Sequence, residues 1–391
     1  MPATDRLARM TLQSQSESLF QNTFGGTPAV VATAPGRIEF IGNHTDYNGG
    51  TVLGAAIDRT VVVAARPRGD GRFHFVSDHS PNPITVGRPI VRQQGEDSWI
   101  NYPLGVLVAL EARGLPAAGG LELAVVSDVP SGAGLSSSAA LELSTALALT
   151  ALARFSIPLA DLVAACREAE NKFVGVPCGI LDQGVSGFGQ RDHLVHIDCR
   201  GPSFSTLPLP AAVHFWIFNT HQKHALVDSL YATRHRECME AARLLHVPLL
   251  ADVSPEQLRR ARGDLPAIPA RRAQHIVDEI ARVNRMREVL ASGDLAAAGR
   301  LLFESHESSR TLFENSIPEL DFLVDTVRGR PGVYGARLTG GGFGGAVMVM
   351  TNAAFDAPSS AEVAARYAQK FGSVPDILSC ATADGARLLR A

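Results

Sequence analysis

The sequence predicts an α+β protein of two lobes. Three observations carry this. Strand patterns mixed with helices come first, then helices alone, then strands, with no repeating β-α-β unit. The length, 391 residues, suits about two domains. Apolar residues make up 46% of the chain, enough to fill a core in each. The texture changes near Pro208, so the lobes are drawn at 1–205 and 206–391.

Residues 1–21 read as a polar amphipathic helix without the apolar stretch of a secretory signal. The β-branched runs Val30–Thr33 and Thr60–Val63 predict strands across 29–67, broken by the polar loop Asn43–Gly50. Further strands are expected over 72–96, with turn signals at Asp78–Pro83. Trp99–Arg113 predicts a helix and Leu121–Ser127 a strand. Ser137–Phe155 is helical by its Ala and Leu content. Leu159–Phe173 carries Leu162, Ala165, Ala169 and Phe173 at helical spacing. Beyond Pro208 a short strand at Val213–Asn219 leads into helices at 228–245, 255–263, 267–292, 294–313 and 318–328. Ser254 is placed to cap one of them, with Pro255 at its first helical position. Leu338–Thr351 is a glycine cluster running into an apolar strand, and Val374–Ala381 reads as the last strand.

Composition narrows the function classes. Basic and acidic residues number 36 and 39, so bulk charge offers nothing to nucleic acid or a membrane surface. No apolar run reaches the ~18 residues that a membrane-spanning helix needs. The five cysteines are scattered, with no C-x-x-C. That suggests reduced thiols in a cytoplasmic protein rather than disulfides or a zinc site.

Val129–Glu142, VPSGAGLSSSAALE, is the most informative stretch. Gly132 and Gly134 allow a tight turn and close backbone approach to a ligand. Ser136, Ser137 and Ser138 follow, directly before the helical pattern. Free N–H groups at a helix start favour phosphate, so the loop points to a nucleotide polyphosphate. It is not a Walker A loop, because it has no lysine and lacks that glycine spacing. Taken alone, the same letters also suit an ordinary Gly/Ser turn.

Two more clusters fall in order around it: Ala34–Gly50, APGRIEFIGNHTDYNGG, and Tyr334–Ala346, YGARLTGGGFGGA. Between them lie SWINY at 98–102, PCGILDQ at 177–183, SLYATRHREC at 229–238, and ESH and SIPELD within 304–321. Together these resemble the sugar 1-kinase branch of the GHMP kinases, the galactokinases in particular, over nearly the whole chain. The resemblance implies a two-lobed GHMP kinase fold. Its N-terminal lobe would be like domain 2 of ribosomal protein S5, its C-terminal lobe ferredoxin-like and helical, with the site in the cleft. It also implies an ATP-dependent kinase acting with Mg²⁺ on the anomeric hydroxyl of a monosaccharide. A monomer or weak homo-oligomer is expected. Galactose is the leading substrate. Galacturonate, arabinose or N-acetylgalactosamine, or a non-catalytic sugar sensor, are the alternatives.

Carried over residue by residue, the resemblance makes Asp182 the base for the sugar hydroxyl and Arg37 its partner and charge stabiliser. A neighbouring arginine favours an ionised, weakly basic carboxylate, so proton removal would lag behind phosphoryl transfer. Gly132, Ala133, Gly134, Leu135, Ser136, Ser137 and Ser138 would cradle the phosphates of ATP. Ser137 and Glu170 would hold Mg²⁺. His44, Asp46, Gly179 and Tyr231 would line the sugar, and Trp99 and Tyr102 the adenine side; His224 also fits the pattern. The chain departs from the usual wording at one pair: Glu39 stands where the galactokinases have Asn, and Asn43 where they have Glu. Alternation along a strand would put both on one face, so carboxylate and amide would exchange places at the sugar's far end. An amide both donates and accepts, so a different C6 group could be tolerated there.

Overall fold

The computed structural model describes residues 10–391 apart from 131, 224–226 and 262. Residues 1–9 of the expected N-terminal helix, and His224, lie outside these. The helix itself begins at Leu12 and runs to Phe24. Its Phe20 packs on the outer face of the first sheet, beneath the Arg66 guanidinium at 5.1 Å.

Strands β1 (Val30–Ile41) and β2 (Thr51–Pro67) form the spine of that sheet. β3 (Arg72–Ser77), β4 (Ser80–Gly87) and β5 (Leu121–Ser127) extend it. β6 (His193–Asp198) pairs with the start of β2, and β7 (Ser203–Pro208) with β6. All of these pairings are antiparallel except β3 with β5. A second sheet holds β8 (His214–Lys223), β9 (Val333–Thr339), β10 (Gly344–Thr351) and β11 (Asp376–Cys380) in the antiparallel order β11-β8-β10-β9. β12 (Arg387–Arg390) returns to the first sheet and pairs with β1. A linear division at 205 therefore does not follow the sheets: it cuts β7, and the chain's end rejoins its beginning.

The helix Ser137–Leu152 is buried along most of its length against β1 and β2. A helix apolar on every side belongs in a core, which is why its alanines and leucines show no polar stripe. Ser254 caps Pro255–Ala261 as expected, accepting from the Gln257 N–H while the Gln257 side chain accepts from the Ser254 N–H. Two expected helices end early. Leu159–Glu168 gives way to a π-turn at Ala169–Val174, and Leu295–Ser308 to another at Ser309–Phe313. Each π-turn delivers residues to the site described below. Two further helices form: Leu181–Phe188, which carries no clear sequence signal, and Ala357–Phe371, which covers the second sheet and is marked by Asp356 at its N-cap, Pro358 in its first turn and Gly372 after its end.

Candidate active site

The site grows from one strand. Arg37 and Glu39 are two residues apart on β1 and point to the same side. Arg37 is 4% exposed. Its Nε and Nη2 donate to Asp182 Oδ1 at 2.8 and 2.6 Å, and its Nη1 donates to the Gly134 carbonyl. The Arg37 N–H donates to the Leu135 carbonyl at 2.9 Å, tying the strand to the serine loop. Asp182 sits in the first turn of Leu181–Phe188, where the helix dipole favours a carboxylate.

Ser136 is in the left-handed region, with φ 56°. It occupies the cap position of Ser137–Leu152 but does not cap it. Its hydroxyl donates instead to Asp182 Oδ2 at 2.6 Å. The first N–H groups of the helix are thus left open to a ligand in the cleft, the arrangement that suits phosphate.

Two hollows meet at Arg37 and Asp182. An open cleft of about 610 Å³ is lined by Tyr102, Gly132, Gly134, Leu135, the three serines and the glycine run Gly340–Gly345. A more enclosed cavity of about 200 Å³ is lined by Glu39, Asn43, His44, Asp46, Glu170, Gly179 and Tyr231. Arg37, Asp182, Gly340 and Gly341 belong to both walls. Ala133 is buried beneath the loop rather than on the cleft surface. Trp99, expected beside the nucleotide, packs edge-on against Phe75 at 6.4 Å; Tyr102 lines the open cleft. The short 3-10 turn Gly95–Ile100 sets Trp99 against the first sheet's core, partly buried.

In the enclosed cavity, His44 has φ 60° and is held at both ring nitrogens. Nε2 donates to the Gly341 carbonyl at 2.9 Å, so Nδ1 accepts from the Tyr47 hydroxyl, also at 2.9 Å. Burial pushes the imidazole down to about 3, so it stays neutral. Phe313, from the second π-turn, packs against both His44 and His275 at 4.5 Å. Asp46 has no ion-pair partner among the described residues. Burial, with repulsion from Glu39 and Asp182, pushes its carboxyl up to about 7.

Glu170, from the first π-turn, accepts from Gln183 Nε2 at 2.6 Å and from the Ser138 hydroxyl. Burial and the charge of Asp182 push it up to about 7. Ser137, expected with Glu170 at the metal, lines the open cleft beside Ser138. Behind it, Glu142 is fully buried; Gln183 Nε2 also donates to its Oε2 at 2.9 Å, while its Oε1 has no partner among the described residues. Burial, then repulsion from Glu170, pushes the Glu142 carboxyl well up.

Sequence reasoning missed the supports of the polar loop Asn43–Gly50. The Glu279 carboxylate accepts from the Gly42 N–H at 3.1 Å, the Asn43 N–H at 3.3 Å and the Ser305 hydroxyl at 2.6 Å. Burial pushes it up, but Arg282, His275 and Arg337 outweigh that and hold it at about 2. Arg337, fully buried, donates to Glu39 Oε1 at 3.0 Å. Its segment stands out in the sequence for its glycines, not for this charge. Glu279 has no local signal, being one of several charges on an amphipathic helix. Glu39 and Asn43 do share a wall, but not by strand alternation. β1 ends at Ile41, and Gly42, with φ 111°, turns the chain so that Asn43 Nδ2 reaches Glu39 Oε1 at 2.9 Å.

The family models agree with this architecture. A galactokinase galactose-binding signature matches residues 18–67, the GHMP kinase N-terminal domain 101–190, and the GHMP kinase C-terminal domain 286–374. The galactokinase of Homo sapiens is 39% identical over 387 residues, covering 97% of each chain. This chain belongs to the galactokinase family. The galactokinase of Roseiflexus sp. (strain RS-1) is also 39% identical, with 94% of each chain covered. The crystal structure of Lactococcus lactis galactokinase complexed with galactose matches with a TM-score of 0.92 at 31% identity. It covers 96% of this chain and all of its own. A mevalonate kinase matches with a TM-score of 0.62 at 16% identity, which speaks to the fold alone.

Proposed function

We propose that this protein transfers the γ-phosphoryl group of ATP to the anomeric hydroxyl of galactose, giving galactose 1-phosphate and ADP. The observation that carries this is the Arg37–Asp182 pair in the wall common to both cavities. The enclosed cavity takes the sugar, with Asp46, Gly179 and Tyr231 around it, and the open cleft takes ATP. Its phosphates lie along Gly132–Ser138, and its base toward Tyr102. The sugar oxygen bonds to the γ-phosphorus as the bond to the ADP oxygen breaks, and the hydroxyl proton passes to Asp182. Three hydrogen bonds already fall on that carboxylate. Oxygens so engaged suit a loose transition state in which the proton leaves late. Arg37 offsets the negative charge that gathers between the two cavities.

Glu170, a carboxylate on the cavity wall with no ion-pair partner among the described residues, suits a hard divalent ion such as Mg²⁺. Glu170 and the Ser138 hydroxyl, next to Ser137, would hold it, and when bound it supplies positive charge to the phosphates. No helix among the described residues is long and apolar enough to cross a membrane. The five cysteines are free. Free thiols suit a reducing cytoplasmic setting. A monomer or weak homo-oligomer remains part of this reading.

The direct test is ADP release with ATP, Mg²⁺ and a panel of galactose, glucose, galacturonate, arabinose and N-acetylgalactosamine. Turnover should be greatest on galactose. Preference for another sugar, or turnover on none, would overturn the reading.

The titration of Asp46 adds a pH prediction. Its carboxyl, raised to about 7, must be ionised to accept sugar hydroxyls. At saturating ATP, kcat/KM for galactose should rise with pH through about 7 and then level off, since this ratio reports groups of the form that binds the sugar, here the ATP complex. Asp46→Asn should remove that rise as well as lower the ratio. A profile already flat below neutrality would contradict the assignment.

A further inference from the structure

Asn43 has no hydrogen-bonding capacity left for a ligand. Its Nδ2 donates to Glu39 Oε1 at 2.9 Å and to the Gly340 carbonyl at 3.0 Å. Its Oδ1 accepts from Asn315 Nδ2 at 2.8 Å and the Ser309 hydroxyl at 3.4 Å. A side-chain amide has two donor hydrogens and two lone pairs, and all four are committed. Glu39 is different. Its Oε1 is taken by Asn43 and by Arg337 Nη1, while its Oε2 receives no hydrogen bond from any described residue. The side chain lines the enclosed cavity, and Arg337 stands behind it as counter-charge.

We infer that Glu39, not Asn43, is the residue that hydrogen-bonds a sugar hydroxyl on the side of the ring away from the reacting centre, and that Asn43 is its positioning residue. This rests on the reading of the enclosed cavity as the sugar site. Distance along the strand fixes which side. Arg37 marks the reacting end, and Glu39 is one pleat further on, roughly 6.5–7 Å along β1. On a pyranose reacting at its anomeric oxygen, the groups that far away are the 4- and 6-hydroxyls. The exchange of Glu and Asn between positions 39 and 43 then moves the carboxyl to the strand. There Arg337 compensates it, and Oε2 is left for the ligand. An amide at 43 that is fully committed gives no reason for a broadened preference at C6.

The test compares kcat/KM for galactose with its 2-deoxy, 4-deoxy and 6-deoxy analogues at saturating ATP, in the parent, Glu39→Gln and Glu39→Ala. Ratios taken within one variant do not depend on how much of it is folded. In Glu39→Ala the preference for galactose over the 4-deoxy or the 6-deoxy sugar should fall about tenfold or more, as expected when a buried partner of a hydroxyl is lost. The preference over the 2-deoxy sugar should be unchanged. Glu39→Gln, which keeps the shape and an acceptor oxygen, should fall between. Ratios that stay at the parent's values, or that change together for all three analogues, would overturn the inference. Gly179→Ala separates this from the underlying reading. An unchanged KM together with an unchanged kcat for galactose in that variant would remove the sugar-site assignment itself. A raised KM there, with unmoved ratios in the Glu39 variants, would remove only the role given to Glu39.

Discussion

Asp182→Asn is expected to fold like the parent and to lose about 10²–10⁴ in kcat, the usual contribution of a positioned acid or base. Asparagine is the informative replacement. Arg37 is buried, and truncating its partner to alanine would leave a buried charge unpaired, costing about 3–5 kcal/mol of stability. The asparagine oxygen can still accept from Arg37 Nε and Nη2, while the group that takes the proton is gone. Arg37→Ala removes the opposite member and should cost a comparable factor, through lost charge stabilisation at the transferring phosphoryl. Because the two side chains act on one transition state, their losses should not multiply. The double variant Arg37→Ala/Asp182→Asn should turn over about as slowly as the worse single one. Steady-state kcat, with thermal unfolding of each variant as the check on folding, measures all of this. A folded Asp182→Asn with near-parental kcat would remove Asp182 from the reaction.

That pair is legible in the sequence through the motifs around each residue, not through the spacing between them. Nothing local to Arg37 points 145 residues ahead to Asp182. The local physics is readable where propensity and packing agree. β1 and β2 follow from β-branched runs, and Ser137–Leu152 from its Ala and Leu content. It fails where tertiary contacts override propensity. Leu181–Phe188 contains Gly184 and Gly187, poor helix formers. Both are there because neighbours press close: a Cβ on Gly184 would sit 2.6 Å from the Ile197 side chain, and one on Gly187 2.8 Å from Val163. β12 carries no strand signal of its own, and exists because β1 offers it an edge. The two π-turns look like plain helix in the sequence, because an inserted residue does not alter composition. Yet those insertions bring Glu170 to the cavity, and Ser309 and Phe313 to Asn43 and His44. The serine loop shows the same limit at finer scale. Its glycines and hydroxyls point to a phosphate site, but only the fold says that Ser136 turns to Asp182 and Ser138 to Glu170.

Gly179→Ala should raise KM for galactose about ten- to hundredfold while leaving KM for ATP near its parental value. The reason is space rather than backbone strain. An ideal Cβ on Gly179 would lie 1.6 Å from Asp46 Oδ2 and 2.2 Å from its Cγ. No rotation of a methyl group relieves that overlap, so either Asp46 swings away or the 175–180 segment backs off. Asp46 has no ion-pair partner among the described residues, so its carboxylate oxygens are open to the sugar and its displacement removes acceptors from it. Hydrogen bonds to a charged group are worth about 1.5–3 kcal/mol each, and about 1.4 kcal/mol is tenfold in affinity. If the segment moved instead, Asp182, three residues further on, would shift with it and kcat would fall. The two responses are therefore separable in one kinetic series. A double variant decides between them. With Asp46→Gly the three atoms nearest the new Cβ, all of the Asp46 side chain, are gone, so adding Gly179→Ala should cost nothing more if Asp46 is the part that gives way. A further loss in the double variant would place the strain in the backbone that carries Asp182. Parental KM and kcat in Gly179→Ala would mean that the contact between this glycine and Asp46 does not shape the sugar site.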